Sequence, residues 1–240
     1  MRATMLRPAQ ILCAFAALVV LATPVSATAI YFVTVDSSSV SGNSGFLDFQ
    51  FNPGNGASQL ATAMITGFAG GTFSGSPSVT GDGDVSGTLP GTLTMDNGTA
   101  LNEYFQSFTY PATTFSFLLT LSGPALDTPN GTSTAGSTFG LGLYDSGQNP
   151  ILTDQGATTG FAGEVDINLD SSTTAIAFPN GTQPTVVTLQ AQSPEPGSML
   201  LLGAGLAGLA VLRKFTRRIP ATSGSSSRPR QPIPLPIKPR

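Results

Sequence analysis

Histidine and tryptophan are absent from the 240-residue chain, and cysteine occurs once, as Cys13. Lysine and arginine are missing from the whole stretch 8–212. Each absence removes chemistry from the middle of the chain. Without histidine or lysine there is no Ser–His–Asp triad and no Ser–Lys dyad, and without a further cysteine there is no thiolate nucleophile or disulfide. Zinc or copper sites built on histidine or thiolate are excluded, and so is a phosphate cradle with its lysine. Carboxylate chemistry is what remains. Glu103 and Glu164 are the only glutamates between 28 and 190, and neither sits in a motif of paired-carboxylate glycoside hydrolysis. The expectation is a domain that is not an enzyme.

The charges are partitioned. All ten basic residues lie at the two ends: Arg2, Arg7, Arg213, Lys214, Arg217, Arg218, Arg228, Arg230, Lys238 and Arg240. Twelve of the thirteen acids lie between Asp36 and Asp170, so the central stretch has a formal charge of −12 although the whole chain has only −3. A surface of that sign repels nucleic acid, acidic lipid and phosphorylated ligands. It leaves solubility, mutual repulsion or divalent-cation binding as its uses. Basic ends around an acidic centre are what a chain with topological signals at both termini carries, because Lys and Arg stay on the cytoplasmic side.

Residues 1–27 have the three parts of a secretory signal peptide: Arg2 and Arg7, an apolar run from Ile11 to Ala22, and Pro24 ahead of Val25-Ser26-Ala27. Signal peptidase would cut after Ala27, or after Ala29. Cys13 lies inside the apolar run behind Gln10-Ile11-Leu12, which lacks the small residues of a lipoprotein cleavage site.

The other end reads Ser193-Pro194-Glu195-Pro196-Gly197-Ser198, then an apolar stretch from Met199 to Leu212, then Arg213-Lys214 and Arg217-Arg218. The prolines and glycine hold the chain extended ahead of the helix. A helix over 198–212 would reach about 22 Å against a hydrocarbon core of about 30 Å, so it spans only with bilayer thinning or snorkelling arginines. Gly203, Ala204, Ala207 and Gly208 give it a small-residue face for close packing. Residues 219–240 follow with six prolines, four basic residues and no acid, the composition of a disordered, polyproline-like cytoplasmic tail.

Pro194-Glu195-Pro196, the short Gly/Leu/Ala-rich span and the basic cluster Arg213, Lys214, Arg217 and Arg218 together resemble the PEP-CTERM sorting signal. That resemblance covers residues 191–218 and implies recognition by a membrane-embedded exosortase, which acts at or near the motif. It also implies an exported protein of a bacterium that makes extracellular polysaccharide. The 22 residues beyond the basic cluster depart from the family, whose members usually stop soon after it.

Residues 28–190 are rich in Gly, Ser, Thr and Asn and alternate with period two, the pattern of half-buried strands. Strands are predicted at Ile30–Val35, Phe46–Phe51, Thr114–Leu121 and Thr138–Tyr144. Weaker ones are predicted at Gln59–Thr66, Ser86–Met95, Tyr104–Thr109, Glu164–Leu169, Thr173–Ala177 and Thr185–Gln190. In Phe46–Phe51 the residues Leu47, Phe49 and Phe51 share one face, with Asp48 and Gln50 opposite. Turn signals such as Asn52-Pro53-Gly54 and Asp96-Asn97-Gly98 recur between these runs. No helical period stands out. Many short strands and frequent turns predict an all-β ectodomain, a β-sandwich or jelly roll, large enough for one core. Thr34-Val35-Asp36, the run Ser44 to Gly54, Asn102 to Gln106 and Leu119 to Pro124 resemble a PEP-CTERM subfamily defined by sequence alone, which supplies no activity.

Three features of this domain are candidate sites. Asp82-Gly83-Asp84-Val85-Ser86-Gly87 places oxygen ligands on Asp82, Asp84 and Ser86 with glycine sixth, like the first half of a calcium loop. Leu93 stands where a bidentate acid closes such a loop, so a polar turn is the other reading. Tyr104, Phe105, Phe108 and Tyr110 form the densest aromatic cluster, a ligand surface or plain core. Asn-Gly-Thr triplets at Asn97, Asn130 and Asn180 fit glycosylation sequons and tight turns alike. The sequence thus predicts an exported protein, membrane-anchored through its C-terminus and then at the surface or secreted, without nucleic acid as a partner. Its role is non-catalytic, associated with polysaccharide or biofilm; the alternative is a calcium- or glycan-binding adhesion module.

Overall fold

The computed structural model describes residues 27–153, 160–179 and 187–192. Residues 1–26 of the signal peptide, the segment 193–240 and Asn180 lie outside them. Twelve strands form two six-stranded antiparallel sheets. In chain order they are β1 (Ala29–Asp36), β2 (Ser44–Pro53), β3 (Thr62–Ala69), β4 (Thr72–Thr80), β5 (Val85–Gly87), β6 (Leu93–Asp96), β7 (Glu103–Thr109), β8 (Thr114–Ser122), β9 (Ser137–Asp145), β10 (Phe161–Ile167), β11 (Thr173–Ala177) and β12 (Val187–Gln192). The first sheet runs β12-β1-β8-β3-β6-β5 and the second β11-β10-β9-β2-β7-β4. Most connections change sheets; only β5–β6, β9–β10 and β10–β11 stay within one. This is an all-β sandwich.

The alternation in the sequence is the reason for the two layers. Leu47, Phe49 and Phe51 of β2, Phe115, Phe117, Leu119 and Leu121 of β8, and Phe139, Leu141 and Leu143 of β9 are all buried in one core. Removing each such side chain from water contributes about 1.5–3 kcal/mol before entropy is counted. Phe49 meets Phe117 edge-on at 5.5 Å between centroids, joining the two sheets at their centre.

Three elements differ from the sequence reading. The run expected as a single strand from Ser86 to Met95 is a hairpin, β5 and β6, interrupted at Thr88–Thr92. β4 was not expected, because its Ser-, Gly- and Pro-containing run has little apolar alternation. It lies at a sheet edge, pairs only with β7 and carries an irregularity between Ser74 and Ser78 that accommodates Pro77. One helical turn, α1 (Pro124–Asp127), follows β8 with Pro124 in its first turn.

Between β3 and β4 the chain leaves one sheet for the other at Gly70-Gly71, with φ of +90° and +69°. A Cβ on Gly71 would lie 2.0 Å from the Phe108 ring. Only glycine suits that corner.

One end of the sandwich gathers the start of β1, the end of β12, the end of β8, the start of β3 and the end of β6. The second sheet brings the end of β2 and the starts of β7 and β9 to the same end. Asn97 joins the layers there. Its amide donates to Gln59 O at 2.9 Å and Ser137 Oγ at 2.6 Å and accepts from Ala61 N at 2.7 Å.

Candidate functional site

The outer face of the second sheet is built by alternation. Residues 46, 48, 50 and 52 of β2, 138, 140, 142 and 144 of β9 and 103, 105 and 107 of β7 point away from the core. Phe46 and Phe105 stack at 4.7 Å, and Tyr144 meets Phe105 edge-on at 5.7 Å. Beside these half-buried rings runs a polar chain. Gln50 Nε2 donates to Asp48 Oδ2 at 2.8 Å and lies 3.3 Å from Glu103 Oε1, while Asn52 Nδ2 donates to Gln50 Oε1 at 3.0 Å.

Asp48 is the unusual member. It occupies the outer face yet is only 2 % exposed, and its Oδ1 has no hydrogen-bond partner. Burial, against the Gln50 hydrogen bond and with a smaller push from the Glu103 charge, raises its carboxyl to about 7. Asp48 and Glu103 share the Gln50 amide between them. Asp48 Oδ1 is shielded from solvent and its Oδ2 is engaged by Gln50.

Tyr104, Phe108 and Tyr110 of the aromatic cluster belong to the core, and only Phe105 reaches the outer face. Of the two readings, plain core holds for these three, because the alternation of β7 sets Phe105 on the opposite face from Tyr104 and Phe108. Tyr110 instead fastens two strands: its hydroxyl has Phe46 O at 2.9 Å and Tyr144 O at 3.0 Å as acceptors for its one proton, and accepts from Tyr144 N at 3.2 Å. Burial raises its phenol pKa.

In the Asp82–Gly87 loop, Asp82 and Ser86 are exposed while Asp84 is half-buried against Gly98. Asp84 Oδ2 has no hydrogen-bond partner. Among the described residues no group of three or more carboxylates is gathered as a metal site. Pro194, Glu195 and Pro196, with Arg213, Lys214, Arg217 and Arg218, lie outside the described residues.

The PEP-CTERM protein-sorting motif matches residues 194–218. The chain carries the sorting motif of a PEP-CTERM protein. No curated protein and no solved structure matches the chain. The motif implies an exported protein, sorted by exosortase to the cell envelope.

The matched span begins two residues after Gln192, the last residue of β12, so the PEP-CTERM motif follows almost directly on the sandwich. Two of the Asn-Gly-Thr triplets lie in the described residues. Asn97 is committed to the inter-sheet bonds described above and is buried, which fixes it as a structural amide. Asn130 closes a turn, its Oδ1 accepting Thr132 N and Ser133 N at 2.9 Å each.

Proposed function

We propose that this PEP-CTERM protein is a non-catalytic component of the cell surface or of the extracellular polysaccharide matrix. Signal peptidase removes residues 1–27, and the apolar span 198–212 holds the chain in the membrane until exosortase acts. The observation that carries the reading is the sorting motif set directly behind a sandwich whose central stretch has no His, Lys, Arg or Cys. The shielding of Asp48 supports the non-catalytic part, since its one close carboxylate neighbour is tied to it through Gln50. A formal charge of −12 keeps such a domain dispersed in a hydrated matrix.

The test is biofilm architecture and matrix retention in the native host. Deletion of the chain should weaken matrix cohesion, and a secreted domain carrying residues 28–192 should restore it without any turnover of matrix glycans. An unchanged matrix in the deletion strain would contradict the proposal.

A second reading, glycan binding in adhesion, is favoured by the half-buried Phe46, Phe105 and Tyr144 rings beside Gln50 and Glu103. Phe105→Ala should then abolish retention on a glycan array, and a blank array for the unaltered domain would dismiss this reading. A calcium version rests on Asp84 Oδ2, which is buried and without a hydrogen-bond partner. Calorimetry with calcium decides it, because binding to the folded state alone raises the melting temperature.

A further inference from the structure

The end of the sandwich that releases the chain toward the sorting motif also carries three exposed leucines. Leu60 precedes β3 and is 58 % exposed, Leu101 precedes β7 and is 44 % exposed, and Leu169 follows β10 and is 51 % exposed. All three lie on loops at the end where Asn97 joins the sheets. A cavity of about 150 Å³ opens at this end, lined by Leu169 and by Gln59, Asn130, Ser133 and Ile167 among others; Leu60 adjoins Gln59 in the chain and Leu101 stands apart from it. Large apolar side chains exposed on several loops of one end, with a concavity among them, are the kind of surface that a partner covers. Asp82, Asp127 and Asp170 are exposed at the same end, without a basic residue among the described residues to offset them.

Chain reach says what must come close to this surface. Ser193 alone separates Gln192 of β12 from Pro194. At no more than about 3.6 Å per residue, Pro194 lies within about 7 Å and Pro196 within about 14 Å of the last residue of β12. An enzyme whose site encloses 194–196 has a radius larger than either distance. It cannot hold the motif without meeting the end of the sandwich.

We propose that the leucine-tipped end, with Leu60, Leu101 and Leu169 on its loops and the cavity at Leu169, is a docking surface for the enzyme that processes the Pro194-Glu195-Pro196 motif. This rests on the exosortase-substrate reading. The enzyme's matching surface is apolar at its centre, with one side chain filling the cavity, and basic at its rim opposite Asp82, Asp127 and Asp170. Charge favours this partner over the bilayer itself, since the exposed acids are repelled by anionic lipid.

Pulse–chase of the full-length chain in its native host tests the inference. A Leu60→Ser/Leu101→Ser/Leu169→Ser variant should be processed at least fivefold more slowly than the unaltered chain. A Phe32→Ser/Leu118→Ser variant, which alters exposed apolar residues of the other sheet face, should be processed at the normal rate. Normal processing of the triple-leucine variant overturns the inference. A Pro194→Ala/Glu195→Ala/Pro196→Ala chain separates the two layers of the argument. If it is blocked while the leucine variant is normal, only the docking surface fails; if it is processed normally, the sorting reading fails. A photo-crosslinking residue at position 101 of the otherwise unaltered chain avoids any question of folding. It should form an adduct with the processing enzyme, whereas an adduct with lipid alone, or none, contradicts the proposal.

Discussion

Gln50 places its amide 2.8 Å from Asp48 Oδ2, yet Asp48 Oδ1 meets no donor at all. A carboxyl held this way is more easily protonated folded than unfolded. Its folded pKa is about 7, against an ordinary 3.8. Between those values the native state binds more protons than the unfolded chain, so stability falls as pH rises. The difference corresponds to about 4 kcal/mol when complete. Melting temperature should therefore rise as pH is lowered from 8 to 5, and Asp48→Asn should flatten that slope and raise stability at pH 8. An Asp48→Asn domain with the same slope as the unaltered one would refute this.

Below about pH 4 the sign reverses. Hydrogen bonds from Ser38 hold Asp36 below its usual range, as those from Asn149 hold Asp145 and those from Ser172 hold Asp170. Stability from these groups is present above their unfolded pKa and is lost as they protonate. The full profile should peak in mild acid. A monotonic rise to pH 2 would speak against these three contacts.

Gly71→Ala should cost about 3 kcal/mol, combining a positive φ with overpacking against the Phe108 ring. Gly42→Ala is the comparison, because its φ is also positive but nothing lies within 4 Å of an added Cβ. Chemical denaturation of both separates steric conflict from backbone preference. Equal losses would mean that Phe108 moves aside freely.

Asn97→Ala removes three hydrogen bonds at once and leaves Ala61 N and Gln59 O without their partner. A loss of about 3 kcal/mol is expected in denaturant melts. Mass spectrometry of the secreted protein should find no glycan on Asn97, whose amide is occupied by these bonds.

Purified domain should release no reducing sugar from matrix polysaccharide at any pH between 4 and 8. Hydrolysis that disappears in Glu103→Gln would establish the Asp48–Glu103 pair as a catalytic dyad and overturn the non-catalytic reading.

The strands with strong alternation were legible because their chemistry is local. In β2, β8 and β9 every second residue is Leu or Phe, and burial follows directly. β4 was not legible because an edge strand pairs on one side only and needs little apolar content. The β5–β6 interruption was hidden because Gly87, Leu89 and Leu93 preserve an apparent alternation through the turn. Asp48 reads as an ordinary solvent-facing acid; only the register that sets it beside Phe105 and Gly142 reveals the burial. The sorting motif was legible for the opposite reason. Its three parts are contiguous and depend on no tertiary contact.

The central claim is that the C-terminal segment is a working sorting signal behind a folded β-domain. The most direct test is the mass of the mature protein recovered from the host. The unaltered chain should lack both residues 1–27 and the segment beyond the 194–196 motif. The Pro194→Ala/Glu195→Ala/Pro196→Ala chain should lose its signal peptide but keep its C-terminus and stay with the membrane fraction. The same mass and the same location for both chains would contradict the account.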